Sequence, residues 1–175
     1  MNYGHLLNKL NIIEGDILEV GVWRGGTGSI LAAAARKKTI FLADTFTGVV
    51  KASVKDTKYT GGEHADTSLN LVGNLIYKQG LTNVILLPGV FPDDTSHKVS
   101  GKISLLHIDV DVYQSSKDIV EWCLPRLSVG GIIVFDDYGF FGCDGVTTYC
   151  EELKDNTNLS FVYNVNGHGI FVKLK

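Results

Sequence analysis

The sequence has little with which to build a covalent frame. Its three cysteines, Cys123, Cys143 and Cys150, are odd in number and show no CxxC spacing. That excludes a disulfide scaffold or a zinc knuckle and leaves reduced thiols of the kind a cytosol maintains. Three prolines stand against twenty glycines, a balance that favours tight turns over a disordered tail. No apolar run approaches the roughly 18 residues that cross a bilayer. Residues 1–10 also lack the basic start and unbroken apolar stretch of a secretion signal. Sixteen Lys and Arg against nineteen Asp and Glu give a net charge of -3 without a basic cluster. Binding a phosphate backbone requires concentrated positive charge, so neither nucleic acid nor a membrane is the expected partner. A soluble, cytoplasmic protein is expected.

What is present suits one folded unit. With 175 residues, 45% of them hydrophobic, the chain is expected to form a single domain over residues 1–175 with a sizeable core. A short amphipathic segment over residues 3–10 precedes a first strand at 16–20. An alanine-rich helix at 27–36 and a second apolar strand at 39–43 follow. The spacing predicts a helix over 68–79, with Asp66 or Thr67 as its N-cap and Gly80 as its stop. Strands are expected at 83–87 and 103–108, then a helix at 115–126 that leads through Gly130 and Gly131 into a strand at 132–135. Continuously apolar strands alternating with helices imply a parallel sheet covered on both faces.

The end of the chain differs. After a helix near 146–154, segments 160–163 and 169–174 are separated by the short polar turn 164–167, which predicts a hairpin and an antiparallel last strand. The expectation is an α/β, Rossmann-like fold with a mostly parallel seven-stranded sheet and a C-terminal antiparallel hairpin. Such an ending is typical of methyltransferases that use S-adenosylmethionine (SAM) and unusual for dinucleotide oxidoreductases. The polar stretch 45–65 is read as an active-site loop or lid.

The first strand ends in Gly21, and Gly25 and Gly26 then open a helix. Glycine is needed where the chain turns sharply and a ligand approaches the backbone, and free N–H groups at a helix start meet anionic groups. The spacing is E-x-G-x-x-x-G-G rather than the G-x-G-x-x-G of NAD-binding proteins. Asp44, at the tip of the second strand, is placed to accept from ribose hydroxyls, and Glu19 to hold the ligand's ammonium directly or through water. Trp23 packs on the cofactor or on its own core, and Phe91 lies by the adenine or serves loop packing. The donor-binding set is completed by Arg24, Thr27 and Thr45 beside Gly21 and Gly25, with Asp109 from the next cluster.

That cluster lies at two strand tips, His107-Ile-Asp-Val-Asp111 and Phe135-Asp-Asp137. If the strands are neighbours, Asp109, Asp136 and Asp137 meet, and crowded carboxylates repel unless a cation or protons neutralise them. Hard oxygen ligands favour Mg²⁺. Asp111 is equally a cap, a support for the ligands or a ligand itself. His107 is read as a core histidine, and His64 as a solvated one that is also a candidate for substrate contact.

Taken together, Glu19-Val-Gly-Val-Trp-Arg-Gly-Gly, Ala43-Asp-Thr-Phe46, Leu87-Pro-Gly-Val-Phe91, His107-Ile-Asp-Val-Asp-Val-Tyr-Gln-Ser115 and Phe135-Asp-Asp-Tyr-Gly139 resemble the macrocin-type O-methyltransferases, from about residue 15 to 152. The resemblance implies a SAM- and Mg²⁺-dependent enzyme that methylates a hydroxyl of a sugar or sugar-bearing small molecule. Asp109, Asp136 and Asp137 would be the metal ligands, Asp44 the ribose partner and Asp109 also the catalytic base. Val110 stands where glycine often occurs in the family. Family members usually carry a longer leading segment that closes the substrate pocket and forms oligomers, and a homo-oligomer is expected. A catechol-like or other small acceptor, and a non-catalytic SAM-binding module, are the competing readings.

Overall fold

The computed structural model describes residues 12–164 and 167–175, so the expected amphipathic segment 3–10 lies outside the described residues. Seven strands form one sheet: β1 Asp16–Val20, β2 Ile40–Asp44, β3 Val84–Pro88, β4 Ile103–Ile108, β5 Leu127–Phe135, β6 Leu159–Asn164 and β7 His168–Lys173. Four α-helices are described, α1 Gly26–Ala34, α2 Leu69–Lys78, α3 Tyr113–Cys123 and α4 Asp144–Leu153, with a short 3-10 turn at Ser96–Lys98. The sheet order is β3-β2-β1-β4-β5-β7-β6. All pairings are parallel except β5 with β7 and β6 with β7, as the apolar runs and the polar turn predict.

The apolar strands are buried because each supplies two cores. Alternate side chains point to opposite faces of a sheet. Leu18, Val20, Phe41, Ala43, Leu106, Ile108, Ile133 and Phe135 join Ile119 and Val120 of α3 and Val146 and Leu153 of α4 in one cluster. Ile17, Ile40, Leu42 and Leu105 join Ala32 of α1 and Val72 and Ile76 of α2 in the other. Helices therefore cover both faces, and the loops at the strands' C-terminal ends are left free to form a site.

The boundaries differ from expectation in specific ways. The N-cap of α2 is Ser68, whose hydroxyl accepts from Leu71 N at 3.1 Å, because Asp66 is engaged by Trp23 and Arg24. Strand β5 starts at Leu127 and runs through Gly130 and Gly131 instead of starting after them. Helix α3 begins two residues early, at Tyr113, whose N–H donates to Asp56 Oδ1 at 2.8 Å. The stretch 45–65 has no regular element, as expected, yet it is tied down. Lys51 Nζ reaches Asp118 on α3 at 2.6 Å and Asp93 at 2.8 Å, and Ser115 Oγ donates to Val50 O at 3.0 Å. Its residues Thr45, Gly48, Val49, Val50, Tyr59 and His64 line the cleft, as an active-site loop should.

Candidate active site

Strands β1, β2, β3, β4 and β5 deliver their C-terminal ends to a cleft of about 390 Å³. One side of it begins at Gly21, which has φ 88° and lies so close to the end of β4 that a Cβ there would sit 1.7 Å from the carbonyl oxygen of Asp109. Only glycine lets the two strand ends approach this way. The turn is then held by Asp44. Its Oδ2 accepts from Val22 N at 2.7 Å and Trp23 N at 2.8 Å, and its Oδ1 from Phe46 N at 2.6 Å. Trp23, at φ 46°, is fixed further by its indole N–H, which donates to Asp66 Oδ1 at 2.8 Å.

Of the residues expected to hold the donor, Gly21, Trp23, Asp44, Thr45, Phe91 and Asp109 line the cleft. Glu19, Arg24, Gly25 and Thr27 are off its wall. The Arg24 guanidinium pairs with Asp66 and stacks on the Trp23 ring. Glu19 is only 2% exposed, and its Oε1 lies 3.3 Å from His107 Nδ1 while Oε2 has no hydrogen-bond partner. Burial pushes the Glu19 carboxyl up, against the lowering effect of His107.

The acidic side follows from the pairing of β4 with β5. The register Ile108↔Phe135 puts the two tips side by side, and Asp136 N donates to Ile108 O at 3.0 Å. Carboxylate oxygens of Asp109, Asp136 and Asp137 all lie within 4.8 Å of one another. Burial, then the charges of Asp137 and Asp136, pushes Asp109 up to about 8. Burial, then Asp111 and Asp136, pushes Asp137 up to about 7. Asp137 Oδ2 is buried without a hydrogen-bond partner. Such a cluster is short of positive charge, and its all-oxygen chemistry suits a hard divalent cation.

Asp111 is held inward at φ 64°. It forms a second group with Asp137 and Cys143, again within 4.8 Å, and its Oδ2 is 3.9 Å from His64 Nε2. His64 and Tyr59, whose polar ends are 3.4 Å apart, both line the cleft.

The chain as a whole matches known proteins. Residues 7–173 match the model of the macrocin-O-methyltransferase (TylF) family. The chain belongs to that family. It is 30% identical over 174 residues to the 8-demethyl-8-(2,3-dimethoxy-alpha-L-rhamnosyl)-tetracenomycin-C 4'-O-methyltransferase of Streptomyces olivaceus, covering 91% of this chain and 66% of the relative. To the mycinamicin III 3''-O-methyltransferase of Micromonospora griseorubida it is 33% identical over 147 residues, covering 75% of this chain and 58% of that one. The chain thus spans between 54% and 66% of the length of the curated relatives it matches. Among solved structures, the O-methyltransferase NovP superposes with a TM-score of 0.82 at 24% identity, over 99% of this chain and 78% of that chain. The calicheamicin methyltransferase CalS11 gives 0.79 at 18% identity, over 97% and 77%. At those identities the likeness shows the fold, which is the Rossmann-like fold of class I methyltransferases.

Within this TylF-family frame, two histidines occupy places the sequence did not disclose. His107 is buried, as a core residue should be, but it sits between Glu19 and Asp136, with its Nε2 3.8 Å from Asp136 Oδ1. Burial alone would lower its pKa; the carboxylates of Asp136 and Glu19 reverse that and raise it to about 10. His168, at the start of β7, reaches the same Asp136 oxygen at 2.9 Å. Tyr59 is a further cleft residue that no sequence motif marks. The two contacts of His168 and Tyr59 follow from strand order and loop path, for which no short-range signal exists.

Proposed function

We propose that the protein transfers the methyl group of SAM to a hydroxyl of a sugar or sugar-bearing small molecule, assisted by a divalent cation, with Mg²⁺ the natural choice. The observation that carries this reading is a single cleft lined both by the glycine turn with Asp44 and by the acids Asp109 and Asp137. Family membership supports SAM as donor, and a rhamnosyl group in one relative's name supports a sugar-bearing acceptor. Asp109, Asp136 and Asp137 would hold the cation. The fit rests on the buried, unpartnered Asp137 Oδ2 and on the crowding that raises Asp109 and Asp137. When bound, the cation lowers the pKa of an acceptor hydroxyl and orients it.

The chain's own residues supply the rest. Asp44 and Gly21 shape the donor turn, and Phe91 and Trp23 flank the cleft. Asp109 joins the two sides and is the candidate base, provided the hydroxyl comes within about 3 Å of it. Bringing donor and acceptor into line removes much of the entropy cost of a bimolecular reaction. Methyl transfer from radiolabelled SAM to a panel of deoxysugar glycosides, with and without EDTA, tests the reading. Turnover that persists in excess EDTA removes the cation, and labelling of catechols alone would replace the sugar with the aromatic acceptor that the Trp23, Tyr59 and Phe91 wall could also receive. Donor binding without turnover on any acceptor would leave a SAM-binding module.

We further propose a single catalytic domain that works as a homo-oligomer in the cytoplasm, with no nucleic-acid partner. Among the described residues, no helix is long and apolar enough to cross a membrane. Light scattering on the purified chain reads the oligomeric state directly.

A further inference from the structure

The terminal hairpin does more than complete the sheet. Strand β7 runs antiparallel to β5 with Gly169 opposite Phe135, which brings the preceding residue, His168, alongside Asp136. His168 is flanked by Gly167 and Gly169, and both glycines permit close docking. A Cβ at Gly167 would lie 2.0 Å from Phe140 Cε2, and one at Gly169 would lie 3.1 Å from Tyr138 Cβ. The hairpin therefore packs directly on the segment that follows the Asp136-Asp137 pair, with Gly167 at φ 91° and Gly169 close against Tyr138.

That side chain is held at both ends. His168 Nε2 lies 2.9 Å from Asp136 Oδ1, and His168 Nδ1 lies 3.1 Å from Asn164 Nδ2 on β6. An amide N–H donating to Nδ1 leaves the ring proton on Nε2, where it is donated to the carboxylate. The two contacts fix the ring's orientation. His107 Nε2 lies 3.8 Å from the same oxygen, so both histidines converge on Oδ1 of Asp136.

We propose that His168 is a positioning residue for the cation site: the hairpin's Asn164–His168 pair commits Asp136 Oδ1 and leaves the other carboxylate oxygen to a divalent cation. This rests on the cation reading given above. Partners that orient a ligating carboxylate typically change metal affinity by about 10–100-fold when removed. The hairpin is then part of the site, although His168 does not line the cleft.

The test uses Mn²⁺ as the probe, with its binding to the full chain followed by the electron paramagnetic resonance of free Mn²⁺. Two variants of similar side-chain size are compared after circular dichroism shows both folded: His168→Gln, which keeps an N–H donor, and His168→Met, which has none. The expected result is Mn²⁺ binding weakened by about 10–100-fold in His168→Met and largely restored in His168→Gln. In activity, the metal concentration for half-activation should rise in His168→Met while kcat at saturating metal is retained. Equal losses in the two variants, or no loss in His168→Met, overturn the inference while leaving the cation reading intact. Absence of Mn²⁺ binding to the unsubstituted chain overturns the cation reading and the inference with it.

Discussion

The half of the cleft rim proposed for the donor and the acidic half are built from the same residue types and arrive at different electrostatic states. At the tips of β1 and β2, the Asp44 carboxylate accepts three backbone N–H groups, and Asp66 is occupied by Trp23 and Arg24. At the tips of β4 and β5, Asp109, Asp136 and Asp137 crowd together, and burial with mutual repulsion raises Asp109 and Asp137 far above ordinary carboxylates. Of the three, Asp136 alone is held low, chiefly by His107 and also by His168. An acid in the first half stabilises the turn around it, whereas an acid in the second half is kept at a cost in stability. Residues that persist at such a cost are the mark of a ligand site.

Breaking the joint between the halves should have the largest effect. Gly21→Ala would drive a methyl group into the Asp109 backbone at φ 88°. The expected outcome is a loss of at least about 3 kcal/mol, read as insoluble protein or a collapsed thermal transition. Asp137→Asn separates the halves next. Methyl transfer should fall by about 10²–10⁴-fold, while SAM affinity measured by calorimetry stays near its original value. The same substitution should raise the melting temperature of the metal-free chain, because one of three crowded charges is gone.

Asp44→Ala should do the reverse on stability. Three backbone donors lose a charged acceptor, and a loss of about 2–3 kcal/mol follows, seen as a lower midpoint in urea. SAM binding should weaken, with Mn²⁺ binding unaffected. A stable Asp44→Ala variant would erase the contrast between the halves.

The smallest effect is a pH dependence confined to the acidic half. Asp109 and Asp137 have folded pKa values raised to about 8 and about 7, so the folded state holds their protons more tightly than the unfolded chain does. Their favourable contribution is complete below the unfolded carboxylate range and lost as pH rises through 7–8. His107, raised to about 10, adds stability that is complete below its unfolded value and lost on the way to pH 10. All three act in one direction. Metal-free protein should therefore lose stability steadily between pH 6 and 9, read as a falling melting temperature. Added Mg²⁺ should flatten that slope, and a scan by calorimetry with and without the ion checks it.

Much of this was legible in the chain itself. Continuous apolar strands, the glycine turn and the polar residues before the last strand specified a parallel sheet with a terminal hairpin, since periods of 2 and 3.6 are local properties. The acids at 109, 136 and 137 were marked by their positions at strand ends. Ser68 displaced Asp66 as the cap because Asp66 had a distant partner in Trp23, 43 residues away. The stretch 45–65, read as an active-site loop or lid, does line the cleft, and Lys51 ties it to Asp118 across 67 residues.

The sequence by itself determined which elements form and which strand tips carry carboxylates, because short-range periodicity and glycine stereochemistry act within a few residues. Only the tertiary structure decided what each acid meets. Strand order set β4 beside β5 and β7 beside β5, and so gathered three carboxylates at one point and brought His168 to Asp136. Backbone N–H groups closed around Asp44 but not around Asp137, since their direction depends on how loops return from distant parts of the chain.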